Sequence, residues 1–201
     1  MTNGKPSQPV FINEGMHRYR LLALPDGELA GKLFNEKKQF VREYLQQGEA
    51  SLPSVTVTEF SARDEMEETI IRWLQRILGE QRSFGITLNN YSGCPDHTVF
   101  LRIQDHGPFH ELAVQLKPIA EYVSSYDCPP VKFVKQPNLP IGENLDGVLY
   151  ERVIGEYSRR DFHGSFEVKE LMLVRATAGG REQDRRAVLR LLPSLAGHQT
   201  S

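Results

Sequence analysis

Leu52-Pro53-Ser54-Val55-Thr56-Val57 is a short β-rich run opened by a proline. Ser54 and Thr56 are two apart, so on a strand their side chains share one face, and Val55 and Val57 take the other. Further along, Gln136-Pro137-Asn138-Leu139-Pro140-Ile141 repeats the plan: a proline, a short polar side chain, then alternating apolar positions. The two runs read as the halves of one site.

Working outward, residues 18–24 read as a strand and Pro25-Asp26-Gly27 as a turn. Leu29, Leu33, Phe40 and Tyr44 keep helical spacing, which predicts a helix over 28–47 closed by Gly48. The Ser54/Thr56 strand continues to Phe60. Ser61-Ala62-Arg63-Asp64 has the form of a capping box. The helix it would open carries Met66, Ile70, Trp73, Leu74, Ile77 and Leu78 on one apolar face and stops at Gly79.

Residues 84–91 and 97–103 alternate and read as a hairpin across Ser92-Gly93-Cys94-Pro95-Asp96. Pro108 suits the first position of a helix, and Pro118 predicts a kink within it. Residues 131–134 read as extended and 146–159 as a helix. Residues 162–174 read as one long strand, Ala178-Gly179-Gly180 as a turn, and 186–192 as a last edge strand. Helices and strands alternate, but hairpins interrupt them. That predicts an α+β fold of antiparallel sheets with flanking helices. The two proline-led strands occupy similar places in two similar units, which suggests an internal pseudo-repeat.

The chain has 201 residues, 39% apolar and 25% charged, with a net charge of −2 and a pI near 6.3. These values describe a globular domain able to bury a core, without the overall basic character of a nucleic-acid binder. We read 1–15 and 193–201 as flexible ends and 16–192 as one domain of two lobes. No apolar run reaches the roughly 18 residues that span a bilayer, and Met1 to Gln8 lack an apolar leader region. A cytoplasmic protein with no membrane partner is expected. Cys94 and Cys128 are far apart and each stands beside proline, which fits free thiols in a reducing compartment.

Several stretches resemble the 2′-5′ RNA ligase-like family, the two-histidine phosphoesterases, and in particular a bacterial branch. They are Met66-Glu67-Glu68-Thr69 through Leu74, Thr87-Leu88-Asn89-Asn90-Tyr91-Ser92-Gly93, His97-Thr98-Val99-Phe100-Leu101-Arg102, and Phe162-His163-Gly164-Ser165-Phe166-Glu167-Val168. The resemblance covers about 18–192. It implies two pseudo-symmetric lobes of antiparallel sheet and helix around a central cleft. Active members carry one His-x-Thr/Ser motif per lobe. One imidazole takes a proton from the attacking oxygen and the other gives one to the leaving oxygen. The hydroxyl two residues on binds the phosphate.

Aligned with those motifs, Ser54 and Asn138 stand at the two histidine positions. Thr56 keeps the first hydroxyl, and Pro140 replaces the second. Neither Ser54 nor Asn138 titrates near neutral pH, and each lost acid or base costs about 10²–10⁴ in rate. Pro140 disfavours an inner strand, so the second motif is expected to be distorted. The resemblance thus implies a degenerate, catalytically silent protein that binds a nucleotide or RNA end through Ser54, Thr56 and Asn138, with no catalytic residue, no metal and no cofactor. The alternatives are an active cyclic phosphodiesterase or RNA ligase-like enzyme with a rearranged site, and a non-catalytic protein-interaction module.

The remaining histidines read as structural. Thr98 directly follows His97 and so faces the other side of a strand. His106 and His110 flank Gly107-Pro108-Phe109 without a third metal ligand at suitable spacing, and His163 falls in a strand. Lys132, Lys135, Arg159 and Arg160 read as surface cations that could line a cleft.

Overall fold

Strand alternation builds two antiparallel sheets. In the computed structural model, which describes residues 15–45, 48–176 and 183–195, the first sheet holds β1 (Met16–Ala23), β2 (Val55–Arg63), β5 (Lys132–Phe133), β8 (Glu170–Ala176) and β9 (Gln183–Arg190). Their order is β5-β2-β1-β8-β9. The second sheet holds β3 (Phe84–Cys94), β4 (Thr98–Ile103), β6 (Asn138–Gly142) and β7 (His163–Val168), in the order β6-β4-β3-β7.

Helices α1 (Gly27–Phe40) and α5 (Gly147–Tyr157) pack on the four-stranded sheet. Glycines permit the close approach. A Cβ on Gly142 would lie 2.1 Å from the Phe40 ring, and one on Gly93 would lie 2.3 Å from the Tyr150 hydroxyl. Helix α2 (Glu67–Leu78) lies against β9, with α4 (Lys117–Ser124) beside it, and α3 (Gly107–Gln115) reaches β2. One buried cluster runs through both sheets, from Leu21 and Val57 in the first to Leu101 and Leu139 in the second.

The α+β reading therefore holds, and several local expectations are corrected. Residues 162–174 are two strands, not one. The chain leaves β7 at Val168 and enters β8 at Glu170 in the other sheet. Alternation alone carries no sign of this change of partner. Ser61 is not a helix cap, because β2 continues through it to Arg63 in register with β1. A 3₁₀ turn, Asp64–Met66, then leads into α2 without a side-chain cap. Ladder hydrogen bonds outweigh the local capping signal there.

The proline at 118 produces two helices rather than one kinked helix. Leu116 ends α3 and begins α4, and Pro118 sits in the first turn of α4, where its missing N–H costs nothing. The first helix ends at Phe40, and 41–45 form a wider, π-helical turn. Trp73, expected on the buried face of α2, is 41% exposed against the ring of Tyr122. The predicted turn at 178–180 lies outside the described residues.

Candidate functional site

Thr56 reaches the junction of the sheets because of a β-bulge. The register of β1 against β2 runs Arg20↔Glu59 and Leu21↔Thr58, then jumps to Leu22↔Thr56. Val57 and Thr58 are consecutive and both buried. An unbroken alternation would have put Thr56 on the same face as Thr58 and Phe60. The extra residue instead sets Thr56 opposite Leu22, on the face that carries Arg20 and Glu59. Ser54 stands one residue before β2 and is half-buried.

Asn138 opens β6, opposite Arg102, and Pro140 pairs with Phe100. The expected distortion of the second motif is small. Strand β6 is the edge of its sheet, where a proline removes no inner ladder bond. It runs unbroken from Asn138 to Gly142, with a bulge beside Pro140.

Strands β2 and β6 approach one another, and a pocket of about 140 Å³ lies between them. Thr56, Asn138 and Pro140 all line it, so the two proline-led runs do converge. Ser54 is not among its lining residues. Cys94, Asp96, Thr98 and Glu143 complete its polar wall. None of these four reads as a site residue from the sequence, where Cys94 is a free thiol and 92–96 a turn. The lining side chains carry two carboxylates, Asp96 in the turn between β3 and β4 and Glu143 just after β6, and no cation.

The electrostatics of this wall are specific. The Cys94 thiol lies 2.7 Å from Asp96 Oδ1. Burial, and then that hydrogen bond, push the thiol up to about 11. The same hydrogen bond holds the Asp96 carboxyl below the usual carboxylate range, against the opposing effect of burial. At neutral pH the pair is a protonated thiol and a weakly basic carboxylate. His97 adjoins Asp96, but its ring stacks on Tyr150 and its Nδ1 lies 3.1 Å from the Leu145 carbonyl. It is held in the turn at φ 60° and is not a lining residue.

The other histidines lie elsewhere. His163 is exposed on β7, and His110 bonds the Lys135 carbonyl through Nε2. No group of three potential metal ligands converges among the described residues. Cys94 and Cys128 are unpaired. Arg160, considered as a cleft cation, instead pairs with Glu36 and Glu43 and covers the ring of Tyr157.

Lys37 escaped the sequence reading. It stands on α1 between Leu33 and Phe40, at a position where the stripe calls for an apolar side chain, and it is 4% exposed. That mismatch in the stripe is the signal that could have found it. Burial is the main reason its ammonium falls from 10.5 to about 8; Glu143 opposes the fall and Arg20 adds to it.

No family model matches the sequence, and no curated protein matches it. Solved structures do. Escherichia coli LigT solved with 3′-AMP is 15% identical, with a TM-score of 0.64 over 88% of this chain and 98% of that one. LigT solved with ATP is 16% identical, with a TM-score of 0.60 over 89% and 99%. A Thermus thermophilus protein is 15% identical, with a TM-score of 0.62 over 88% and 99%. Among the described residues, no helix is long and apolar enough to cross a membrane. The chain has the fold of the 2′-5′ RNA ligase-like phosphoesterases.

Proposed function

We propose that this chain is a catalytically silent form of the fold whose inter-lobe cleft binds a nucleotide or an RNA end. One observation carries the reading. Thr56 and Asn138, one from each proline-led run, face a single pocket, and no histidine lines it. Phosphodiester cleavage or ligation needs a base for the attacking oxygen and an acid for the leaving one. Asn138 can supply neither, and the Cys94–Asp96 pair cannot stand in. Its thiol keeps its proton to about 11, and its carboxylate is a poor base. The Glu143 carboxylate has no partner acid among the lining side chains, and the amide and hydroxyl groups that remain can hydrogen-bond a sugar or a base without reacting. LigT crystallised with 3′-AMP and with ATP supports the choice of ligand class.

The test sets the native protein beside a Ser54→His/Asn138→His/Pro140→Thr variant. Both are incubated with 2′,3′-cyclic nucleotides and with 2′-5′-linked oligonucleotides. No turnover is expected from the native chain, and any gain belongs to the variant. Turnover by the native chain overturns the claim of silence. Calorimetric titration with AMP tests the ligand: saturable binding weakened about tenfold in Thr56→Val supports it, and absence of binding removes it.

A further inference from the structure

Among the described residues, Lys37 on α1 and Arg20 on β1 are two cations that make no ion pair. Lys37 is 4% exposed. Among the described residues, no carboxylate lies within 4.0 Å of its ammonium; the charges that act on it are Glu143, which follows the Gly142 packed against Phe40 one turn along α1, and Arg20 on β1. Arg20 is half-buried and lies opposite Glu59, two residues before Leu22, the partner of Thr56. Glu59 is already engaged by Arg18 at 2.5 Å. Arg20 therefore has no carboxylate in ion-pairing range among the described residues either.

Burying an ammonium without a partner is costly, and a second cation nearby adds to the cost. The Thr56–Asn138 pocket is the opposite case, with Asp96 and Glu143 in its wall and no cation. A phosphate placed in that pocket would be repelled by two carboxylates, whereas the neutral part of a nucleotide carries no charge for them to repel.

We infer that Arg20 and Lys37 form an oxyanion-binding subsite beside the Thr56–Asn138 pocket, which receives the phosphate of a ligand whose sugar or base occupies that pocket. The inference rests on the reading of the cleft as a nucleotide site and moves the phosphate away from the positions of the lost histidines. The subsite binds and does not react: two cationic donors meet an oxyanion.

Sulfate is the first probe, because its charge does not change between pH 6 and 10. The full chain is titrated with sulfate and with AMP by calorimetry, and the Lys37 side chain is followed by NMR. Saturable sulfate binding is expected, weakened about tenfold in Lys37→Met and in Arg20→Gln and unchanged in Lys38→Met, the exposed neighbour on α1. In the native chain, sulfate affinity should fall as pH rises past about 8 and Lys37 loses its proton; in Lys37→Met it should not. Bound sulfate should also raise the pH at which Lys37 titrates. Methionine is close to lysine in shape and apolar, so Lys37→Met should stay folded, and a melting curve checks that it does.

No sulfate binding by the native chain, or equal loss in Lys38→Met and Lys37→Met, overturns the subsite. So does AMP binding undiminished in Lys37→Met, which leaves the nucleotide reading standing. Sulfate binding that depends on Lys37, with no AMP binding, sinks the nucleotide reading and keeps the subsite.

Discussion

A lysine that is 4% exposed and makes no ion pair among the described residues imposes a pH dependence on stability. In the folded chain Lys37 titrates at about 8, against 10.5 for an ordinary lysine. Below about 8 both states hold the proton, and the full cost of burying the charge is present. Between about 8 and 10.5 the unfolded chain binds more protons than the folded one, so stability rises with pH. The whole swing is about 3 kcal/mol. Lys37→Met should therefore stabilise the ligand-free protein at pH 7 by up to about 3 kcal/mol, and the gain should vanish above pH 10.5. Urea unfolding of both proteins across this range measures it. A difference that is flat with pH would show that Lys37 is not buried as a charge. The native lysine costs stability in the free protein, as expected of a residue kept for a ligand.

Two element-scale features hold α1 and α2 in place. Helix α1 approaches β6 where Gly142 faces Phe40, and the Phe40 ring is fully buried against Tyr44 and Tyr157. A methyl group has no room there. Gly142→Ala should cost about 2 kcal/mol by overpacking, read from urea midpoints. Pairing it with Phe40→Leu should recover part of the loss, whereas strictly additive effects would clear the ring of responsibility.

Helix α2 is tied to the sheet through Glu67. Its Oε2 accepts from the Tyr19 hydroxyl at 2.8 Å, and its Oε1 accepts from Arg186, with Arg175 3.6 Å away. Burial pushes this carboxyl up, but Arg186, Tyr19 and Arg175 outweigh it and hold it below its ordinary value. A depressed carboxylate contributes stability above the unfolded value and loses it as pH falls through the folded one. Glu67→Gln should cost about 2 kcal/mol at pH 7 and flatten the acid limb of the stability curve below about pH 4.5. Acid titration of both proteins decides, and an unaltered acid limb would assign the loss to other carboxylates.

At the scale of the molecule, the lobes are interleaved rather than consecutive. The five-stranded sheet takes its strands from both ends and the middle of the chain, and the backbone crosses back into it between Val168 and Glu170. One hydrophobic cluster joins both sheets. The lobes should therefore unfold together. Fluorescence of Trp73, the single tryptophan, reports on α2. Hydrogen exchange of the β4 amides reports on the other sheet. The two should give the same midpoint in urea, and separated midpoints would make the lobes independent units.

Much of this was written in the residues. Period-two alternation marks the strands, Leu29-x-x-x-Leu33 and Ile70-x-x-x-Leu74 mark helices, and the two proline-led runs announce a paired site. These signals are local, and each sets which face of an element is buried. The sequence also determines that Ser54 and Asn138 cannot exchange protons near pH 7 whatever surrounds them. The tertiary structure alone decided the partners. Strands β7 and β8 part company at Lys169, and Ser61 stays in a strand, because ladder bonds depend on which chain lies alongside. The bulge at Val57 sets the aim of Thr56. The acidic wall of the pocket and the charge balance around Lys37 and Arg20 are sums over distant segments. Charge acts through space, so its balance at a site exists only once the fold has brought those segments together.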